Sequence, residues 1–421
     1  MERLTIENYA GIKRLDLEVR PFTVLIGPQS VGKSITAKLL YFFKSLPREA
    51  FLAAGKEQPP DLHQFAIERL AKLLPDPSQG GTKSAITYTT GKEKLRLIRS
   101  INGTSGWKIQ LPDRFQTAYT EFKESWQEAQ GIEAETPGSL HQSKTRGIRE
   151  DAEKKYWNEV TKVFPFPNLA IFVPAGRSYY VQVERDFAFF FQNANVDPFI
   201  SQFATTISHL RDLSEIVSVV KQRDPSFEKA KQLFETLMGG HYLRQNQMDL
   251  IDHKDGRILP AKLWSSGQQE AHILAFLLLS CCYGYRRNSK LYIEEPEAHL
   301  FPGAQKTMTE LIALAFNSGR KGIHVFLTTH SPYILTSINN LLLAGQQYKN
   351  EASAQRKKSL EKIVPQAIAL NPEDIGAYYM TRDGCHSIID KQSGLIDASG
   401  IDDASVDISK QFEDLLELEA R

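Results

Sequence analysis

The sequence predicts an α/β fold, a mixed-sheet core with helices, interrupted by an insert of antiparallel strands and a helical hairpin. Three observations carry that reading. "FTVLIG" (22–27) is a continuous apolar run ending in glycine, as a strand buried on both faces would be, and a helical pattern follows it. Strand, helix and strand patterns recur from 263 to 330, as in a parallel βαβ core. Between these halves, residues 46–165 change character, which marks an insertion.

The 421 residues suffice for one large core or two moderate ones. With 41% hydrophobic and 24% charged residues, the balance is that of a soluble globular chain. A net charge of +1 gives no global field toward nucleic acid or membrane, while leaving a local basic face for nucleic acid open. Cys281, Cys282 and Cys385 have no metal-ligand spacing and cannot all pair, so a reducing compartment is expected. "MERLTIENYAGIKRL" is charged from its second residue, unlike a secretory leader. The most apolar stretch, "ILAFLLLSCCYGY" (273–285), is shorter than the roughly 18–20 residues of a membrane span. It reads as a helix buried on all sides, and "FAFFF" (187–191) as a packed aromatic cluster. A cytoplasmic location without a membrane partner follows.

Taken in order, 1–45 is the first part of the core. "RLTIENYAGIKRLDLEV" alternates apolar and polar residues, as two short strands around Gly11 would. After "FTVLIG", Ile35, Leu39, Leu40 and Phe43 are spaced for one helical face. In the insert, 46–165, "SAITYTTGKEKLRLIRSINGTSGWKIQL" (84–111) reads as a meander of exposed strands. The stripe Phe115, Ala118, Tyr119, Phe122, Trp126, Ala129 and the segment "IREDAEKKYWNEVTKVF" (148–164) then read as an antiparallel helical pair. Residues 166–262 return to the core with "NLAIFVPAGRS" (168–178), a helical lobe to about Gly240 and a hairpin around "DHKDGR" (252–257). Residues 263–345 complete the core. Residues 346–421 form a linker and a small α/β tail, with "KNEASAQRKKSLEK" (349–362) a solvated helix or loop.

"GPQSVGKS" (27–34) matches G-x-x-x-x-G-K-[ST] at every fixed position, between a buried strand and a helix. The turn Gly27, Pro28, Gln29, Ser30, Val31, Gly32, with Ile35 entering the helix, would wrap phosphates at a helix N-terminus. Lys33 would bridge the β- and γ-phosphates of ATP, and the Ser34 hydroxyl would ligate Mg²⁺. In "LYIEEPEAHLFP" (291–302), Glu294 ends an apolar strand and would complete the metal shell. Glu295, on the opposite side of the strand, would orient or deprotonate a water in line with the γ-phosphate. "LWSSGQQE" (263–270) sets Ser265, Ser266 and Gly267 at a second phosphate-seeking helix N-terminus, with Ser266 and Gln269 at capping-box spacing. "HVFLTTHSPYIL" (324–335) brings His330 to the same edge by a βαβ crossover, within reach of the γ-phosphate or Glu295.

These four elements in this order resemble the ATP-binding-cassette class of P-loop ATPases: Walker A, signature loop, Walker B with catalytic glutamate, and switch histidine. Within it, "IEEPEAHLFP", "SSGQQE", "FVPAGRS" and "TTHSPYIL" look like the OLD-type (overcoming-lysogenisation-defect-like) ATPases, including those of bacterial antiphage systems. The likeness spans roughly 1–45 and 168–400. It implies an ABC-type head in which two copies sandwich two ATP molecules, each signature loop completing the partner's site. Departures are visible. Trp264-Ser265-Ser266-Gly267-Gln268 stands for "LSGGQ", Glu294 stands where many relatives carry Asp, and no glutamine marks a Q-loop near "VPAGRS". The Toprim nuclease of many OLD-type chains needs a Glu and a D-x-D strand, and "AYYMTRDGCHSIIDKQSG" (377–394) offers neither at suitable spacing. The expectation is a Mg²⁺-dependent ATPase, homodimeric or higher, that switches a separately encoded effector such as a nuclease. An SMC-type repair head is the runner-up, normally with a far longer arm than 115–164. A transporter's nucleotide-binding subunit stands third.

Overall fold

The computed structural model describes residues 2–74, 83–99, 106–135, 139–164, 169–178, 196–217, 225–245, 248–282, 289–318, 322–397 and 410–412. β1 (Glu2–Tyr9) and β2 (Ile12–Val19) pair antiparallel around Gly11, as the alternation requires. β3 (Phe22–Ile26) is buried throughout. α1 (Lys33–Ala54) runs past Leu46, because Phe43, Leu46, Ala50 and Ala54 prolong its buried stripe. The change of sequence character at 46 therefore falls within a helix. α2 (Leu62–Leu73) follows, its first amides capped by Asp61.

β4 (Ser84–Thr90), β5 (Glu93–Arg99) and β6 (Lys108–Gln110) form the expected meander, with one difference. β4 pairs with β1 from Glu2↔Thr90 to Glu7↔Ala85, giving one five-stranded sheet in the order β2-β1-β4-β5-β6. The strands are not exposed on both faces. Ile86, Tyr88, Leu95 and Leu97 are buried, and the polar residues that alternate with them masked this apolar face. α3 (Asp113–Glu135) and α4 (Ser139–Val163) make the helical hairpin. It packs on α1 through aromatics, with Phe51 stacked 4.6 Å from Phe122 and 5.3 Å from Trp157.

β7 (Leu169–Val173) leads to α5 (Pro198–Val217) and α6 (Pro225–Met238). β8 (Gly240–Gln245), β9 (Met248–His253) and β10 (Ile258–Pro260) form a three-stranded antiparallel sheet. Then come α7 (Ser266–Cys282), β11 (Ser289–Glu294), α8 (Pro302–Ser318) and β12 (His324–Thr329). α9 (Pro332–Asn350), α10 (Ala354–Ile363), β13 (Ile375–Thr381) and β14 (Gly384–Ser387) follow. α7 is buried from Gln269 to Leu278 and at both cysteines, as its unbroken apolar sequence predicts, and α10 buries none of its residues. "FAFFF" lies outside the described residues. Among the described residues no helix is long and apolar enough to cross a membrane.

The central sheet is mixed, in the order β14-β13-β3-β12-β11-β7, with β14 antiparallel and the other pairings parallel. Its strands read as continuous apolar runs because alternate residues feed two cores. Val24, Ile26, Leu291, Ile293, Val325 and Leu327 join the core shared with α7 and α8. Leu25, Phe172, Tyr292 and Phe326 join the core shared with α1 and the five-stranded sheet. β13, from the tail of the chain, lies beside β3 from Ile375↔Phe22 to Tyr379↔Ile26. β3, β11 and β12 all end at one edge, and the candidate site is there.

Candidate active site

The turn between β3 and α1 is forced by its glycines and by what lies behind them. Gly27 has φ 157, and a Cβ there would sit 2.2 Å from the Met380 carbonyl oxygen in β13. Ser30, with φ 61, is in the left-handed region without being glycine, a strained state that this tight loop enforces. Val31 is buried beneath the loop. Lys33 is almost fully buried and folds back onto its own turn, donating to the carbonyls of Gly27 (2.7 Å) and Pro28 (2.6 Å). Burial lowers its ammonium to about 8, against the upward pull of Glu295 and Glu297.

Ser34 Oγ donates to Glu294 Oε1, so the last residue of the motif touches the end of β11 directly. Burial raises the Glu294 carboxyl above its usual range, with the Ser34 hydroxyl opposing. A nearly buried carboxylate whose close partner is a hydroxyl is a site that a hard cation would relieve. Carboxylate and hydroxyl oxygens, completed by phosphate oxygens and water, suit Mg²⁺. Among the described residues no cluster of three or more His, Cys, Asp or Glu could hold a metal without such help.

Glu295 has φ 42, outside the extended region, and β11 ends one residue before it. The two carboxylates diverge because the backbone turns at Glu295, not because of strand alternation. The Glu295 N–H donates to the Thr328 carbonyl at 2.9 Å, and its Oε1 lies 3.1 Å from His330 Nε2. His330 Nδ1 is 3.3 Å from Lys33 Nζ. An ammonium has only donors, so Nδ1 accepts, and in the neutral ring Nε2–H donates to Glu295. Lys33, His330 and Glu295 thus form one chain of contacts. Around it is a cavity of about 500 Å³, whose walls include Gln29, Ser30, Ser34, Ile35, Glu294 and Thr328. That volume suits a small organic ligand.

Ser265, Ser266 and Gly267 do not line this cavity. The reciprocal capping box uses Ser265 and Gln268, one residue earlier than the sequence spacing suggested. Ser265 N–H and Oγ donate to Gln268 Oε1 at 2.9 and 3.0 Å, and Gln268 N–H donates to Ser265 Oγ at 3.3 Å. Ser266 is the first helical residue of α7, which makes Ser265 the cap, and Gln269 instead turns inward to the Ala261 and Trp264 carbonyls. A Cβ on Gly267 would lie 2.6 Å from the His299 carbonyl, so this loop is seated on the segment after Glu297.

Two residues of the site were not singled out from sequence. Glu297 accepts from Thr329 Oγ1 and from the His330 N–H, both at 2.7 Å, and so fixes the backbone that carries the histidine. Its only signal was a third acid within "EEPE". Arg177, in "PAGRS", is fully buried and bonds to the Glu294 and Glu295 carbonyls. A lone arginine in a turn after an apolar strand was its signal.

Among solved structures, the chain is similar to the Smc head domain with a coiled coil and joint from Pyrococcus yayanosii. That match has 10% identity, covers 96% of this chain and 100% of that one, and has a TM-score of 0.40. It is also similar to the SMC head domain from Thermotoga maritima, at 11% identity, 80% and 90% coverage and a TM-score of 0.33. A third likeness is to an SmcHead bound to the C-winged helix domain of ScpA, at 12% identity, 80% and 91% coverage and a TM-score of 0.36. No curated protein matches. Residues 114–335 match the AAA ATPase domain family, a span that begins after the glycine turn and takes in Ser265, Glu294, Glu295 and His330. With more than half of the chain in that match, and the glycine turn of residues 27–34 lying at the same sheet edge, the chain belongs to the AAA ATPase domain family and is a P-loop ATPase.

Proposed function

We propose that this chain is a Mg²⁺-dependent, ABC-type ATPase that dimerises around ATP and acts as the switch of a bacterial antiphage system, controlling a separate effector such as a nuclease. The observation that carries the enzymatic part is the division of labour between adjacent carboxylates, with Glu294 on Ser34 and Glu295 on His330. The defence role rests on the likeness of "IEEPEAHLFP", "SSGQQE" and "TTHSPYIL" to OLD-type ATPases.

In this reading the turn 27–34 cradles the phosphates, and Lys33 leaves the Gly27 and Pro28 carbonyls for phosphate oxygens. Ser34 and Glu294 would hold Mg²⁺, which would supply charge neutralisation at the phosphates. Glu295 accepts a proton from the attacking water as its oxygen bonds to the γ-phosphorus and the bridge to the β-phosphate breaks. His330 keeps Glu295 aimed by its Nε2–H bond. Ser265–Gly267 would serve ATP held by a second copy, which accounts for their distance from this chain's own cavity. Apolar side chains beside that loop support such a contact, with Phe301 87% and Leu263 66% exposed.

Glu295→Gln tests this reading. Hydrolysis should fall by about 10²–10⁴-fold, the usual range for losing a general base, while ATP stays bound. Light scattering with Mg²⁺ and ATP should then show a stable dimer. Fast turnover by Glu295→Gln would assign the base elsewhere.

A second reading, an SMC-type repair head, is favoured by one observation. The antiparallel hairpin α3–α4 has helices of 23 and 25 residues, each about 35 Å long. Stimulation of hydrolysis by DNA, with no effect of a co-encoded effector, would select it.

A further inference from the structure

Arg177 makes a set of contacts that no catalytic role described above explains. Its side chain is 0% exposed, the largest fully buried side chain among the described residues. Nη1 donates to the carbonyls of Glu294 (3.0 Å) and Pro174 (3.1 Å), and Nη2 to that of Glu295 (3.2 Å). Nε donates to the Glu270 carbonyl at 3.0 Å and lies 3.4 Å from Glu270 Oε2. Glu270 is in the second turn of α7, the helix that Ser265 caps, and its Oε1 accepts from the Ser178 N–H at 3.1 Å.

Burying a guanidinium is costly unless its donors are satisfied and a counter-charge is near, and an apolar side chain could fill the space without that cost. What the planar fork adds is fixed geometry. It holds the main chain of two consecutive residues whose side chains have different tasks, and one of those residues sits at φ 42. A strained backbone state lasts only where surrounding contacts over-determine it. Here the contacts are the Glu295 N–H bond to Thr328 and the bonds its carbonyl accepts from the Ala298 N–H (3.0 Å) and from Arg177.

We propose that Arg177 is a positioning residue: a buried latch that ties the first turns of α7 to the backbone of Glu294 and Glu295, so that the seating of the Ser265–Gly267 loop sets the aim of the catalytic carboxylate. The proposal rests on the ATPase reading. Arg177 does not line the cavity at the site and acts through Glu295.

The test uses the full chain with Arg177→Lys, Glu270→Gln and the double substitution. Lysine keeps the charge but loses the fork, and glutamine keeps an acceptor for Ser178 while removing the counter-charge. Arg177→Lys should lower kcat by about tenfold or more with the ATP KM within about threefold, because the lysine and amides of the P-loop are untouched. Bound ATP per chain should stay at the wild-type value, which a merely unfolded fraction would not allow. The double substitution should cost little more than Arg177→Lys alone, since both break one link. Should Arg177→Lys fail to fold, Glu270→Gln carries the test, with a several-fold loss of kcat at constant KM. A wild-type kcat in either folded single variant, or a loss that tracks bound ATP, overturns the latch. A wild-type chain that hydrolyses no ATP overturns the ATPase reading itself and the latch with it, an outcome visible before any variant is compared.

Discussion

At the carboxyl edge of the central sheet, Lys33 and Glu294 lie buried within one constellation and are not paired with each other. Lys33 donates to carbonyl oxygens and Glu294 accepts from a hydroxyl. At the amino edge of the same sheet, Lys290 holds Glu2 through both oxygens, at 2.7 and 2.9 Å, and Lys44 lies 3.2 Å from the same carboxylate. Both edges border cavities of comparable size, about 500 Å³ and about 570 Å³. Burial lowers Lys33 and Lys290 alike to about 8. The difference is in the partners. Charges in direct contact with an opposite charge serve the scaffold, and charges whose close hydrogen-bond partners are neutral groups are left for a ligand to neutralise.

Exchanging the lysines for neutral residues should separate the two edges most widely. Lys33→Ala should reduce ATP hydrolysis by at least about 10³-fold, or about 4 kcal/mol of transition-state stabilisation, with little change in the denaturant midpoint. Lys290→Met should leave kcat near wild type and lower stability by about 2–3 kcal/mol, short of the full cost of breaking a buried pair because Lys44 remains. Kinetics and urea melts on both variants decide the matter, and a stability loss confined to Lys33→Ala would invert the assignment.

Acid should then sharpen the contrast. Burial raises the Glu2 carboxyl, but Lys290 and Lys44 outweigh it and hold the group at about 2 against 4.5 in a free chain. A carboxyl held lower in the folded state adds stability above 4.5, and that stability is lost as the pH falls toward 2. Glu2→Gln should therefore shrink the drop in melting temperature between pH 5 and pH 3. An unchanged drop would show that the amino-edge cluster does not govern acid stability.

The smallest effect belongs to the helix cap. Ser265→Ala removes one side of the capping box and should cost about 1 kcal/mol of stability. Ser265→Arg, which places bulk where a second copy's phosphate would approach, should instead abolish hydrolysis. If Ser265→Arg turns over ATP normally, the serine is only a cap and the composite site loses its support.

The residues that sequence reasoning placed well share a physical trait, in that their neighbours in sequence constrain them. "FTVLIGPQSVGKS" and "LYIEE" are apolar runs ended by fixed punctuation, so strand, turn and helix N-terminus followed, and Lys33, Ser34, Glu294, Glu295 and His330 do meet at one edge. Arg177 and Glu297 are not legible because their partners come from elements distant in sequence and include main-chain atoms, such as the Glu270 carbonyl and the His330 N–H. β13 is hard to tell from a tail in sequence because "IGAYYMT" buries Ile375, Ala377 and Met380 among polar and aromatic residues, a weak strand signal beside "FTVLI". The union of β1 with β4 was equally silent, since two half-polar strands do not announce which edge they will pair with.

β13 also bears on how the molecule comes into being on the ribosome. Ile375 to Tyr379 flank β3, and the Met380 carbonyl lies where a side chain on Gly27 would need to be. At the usual rate of about 5–20 residues per second, the interval between synthesis of β3 and of β13 is roughly 20–70 s. For most of that interval β3 lacks both of its neighbours, β12 and β13, and the glycine turn has no floor, so a nascent chain carrying the entire motif should not retain nucleotide.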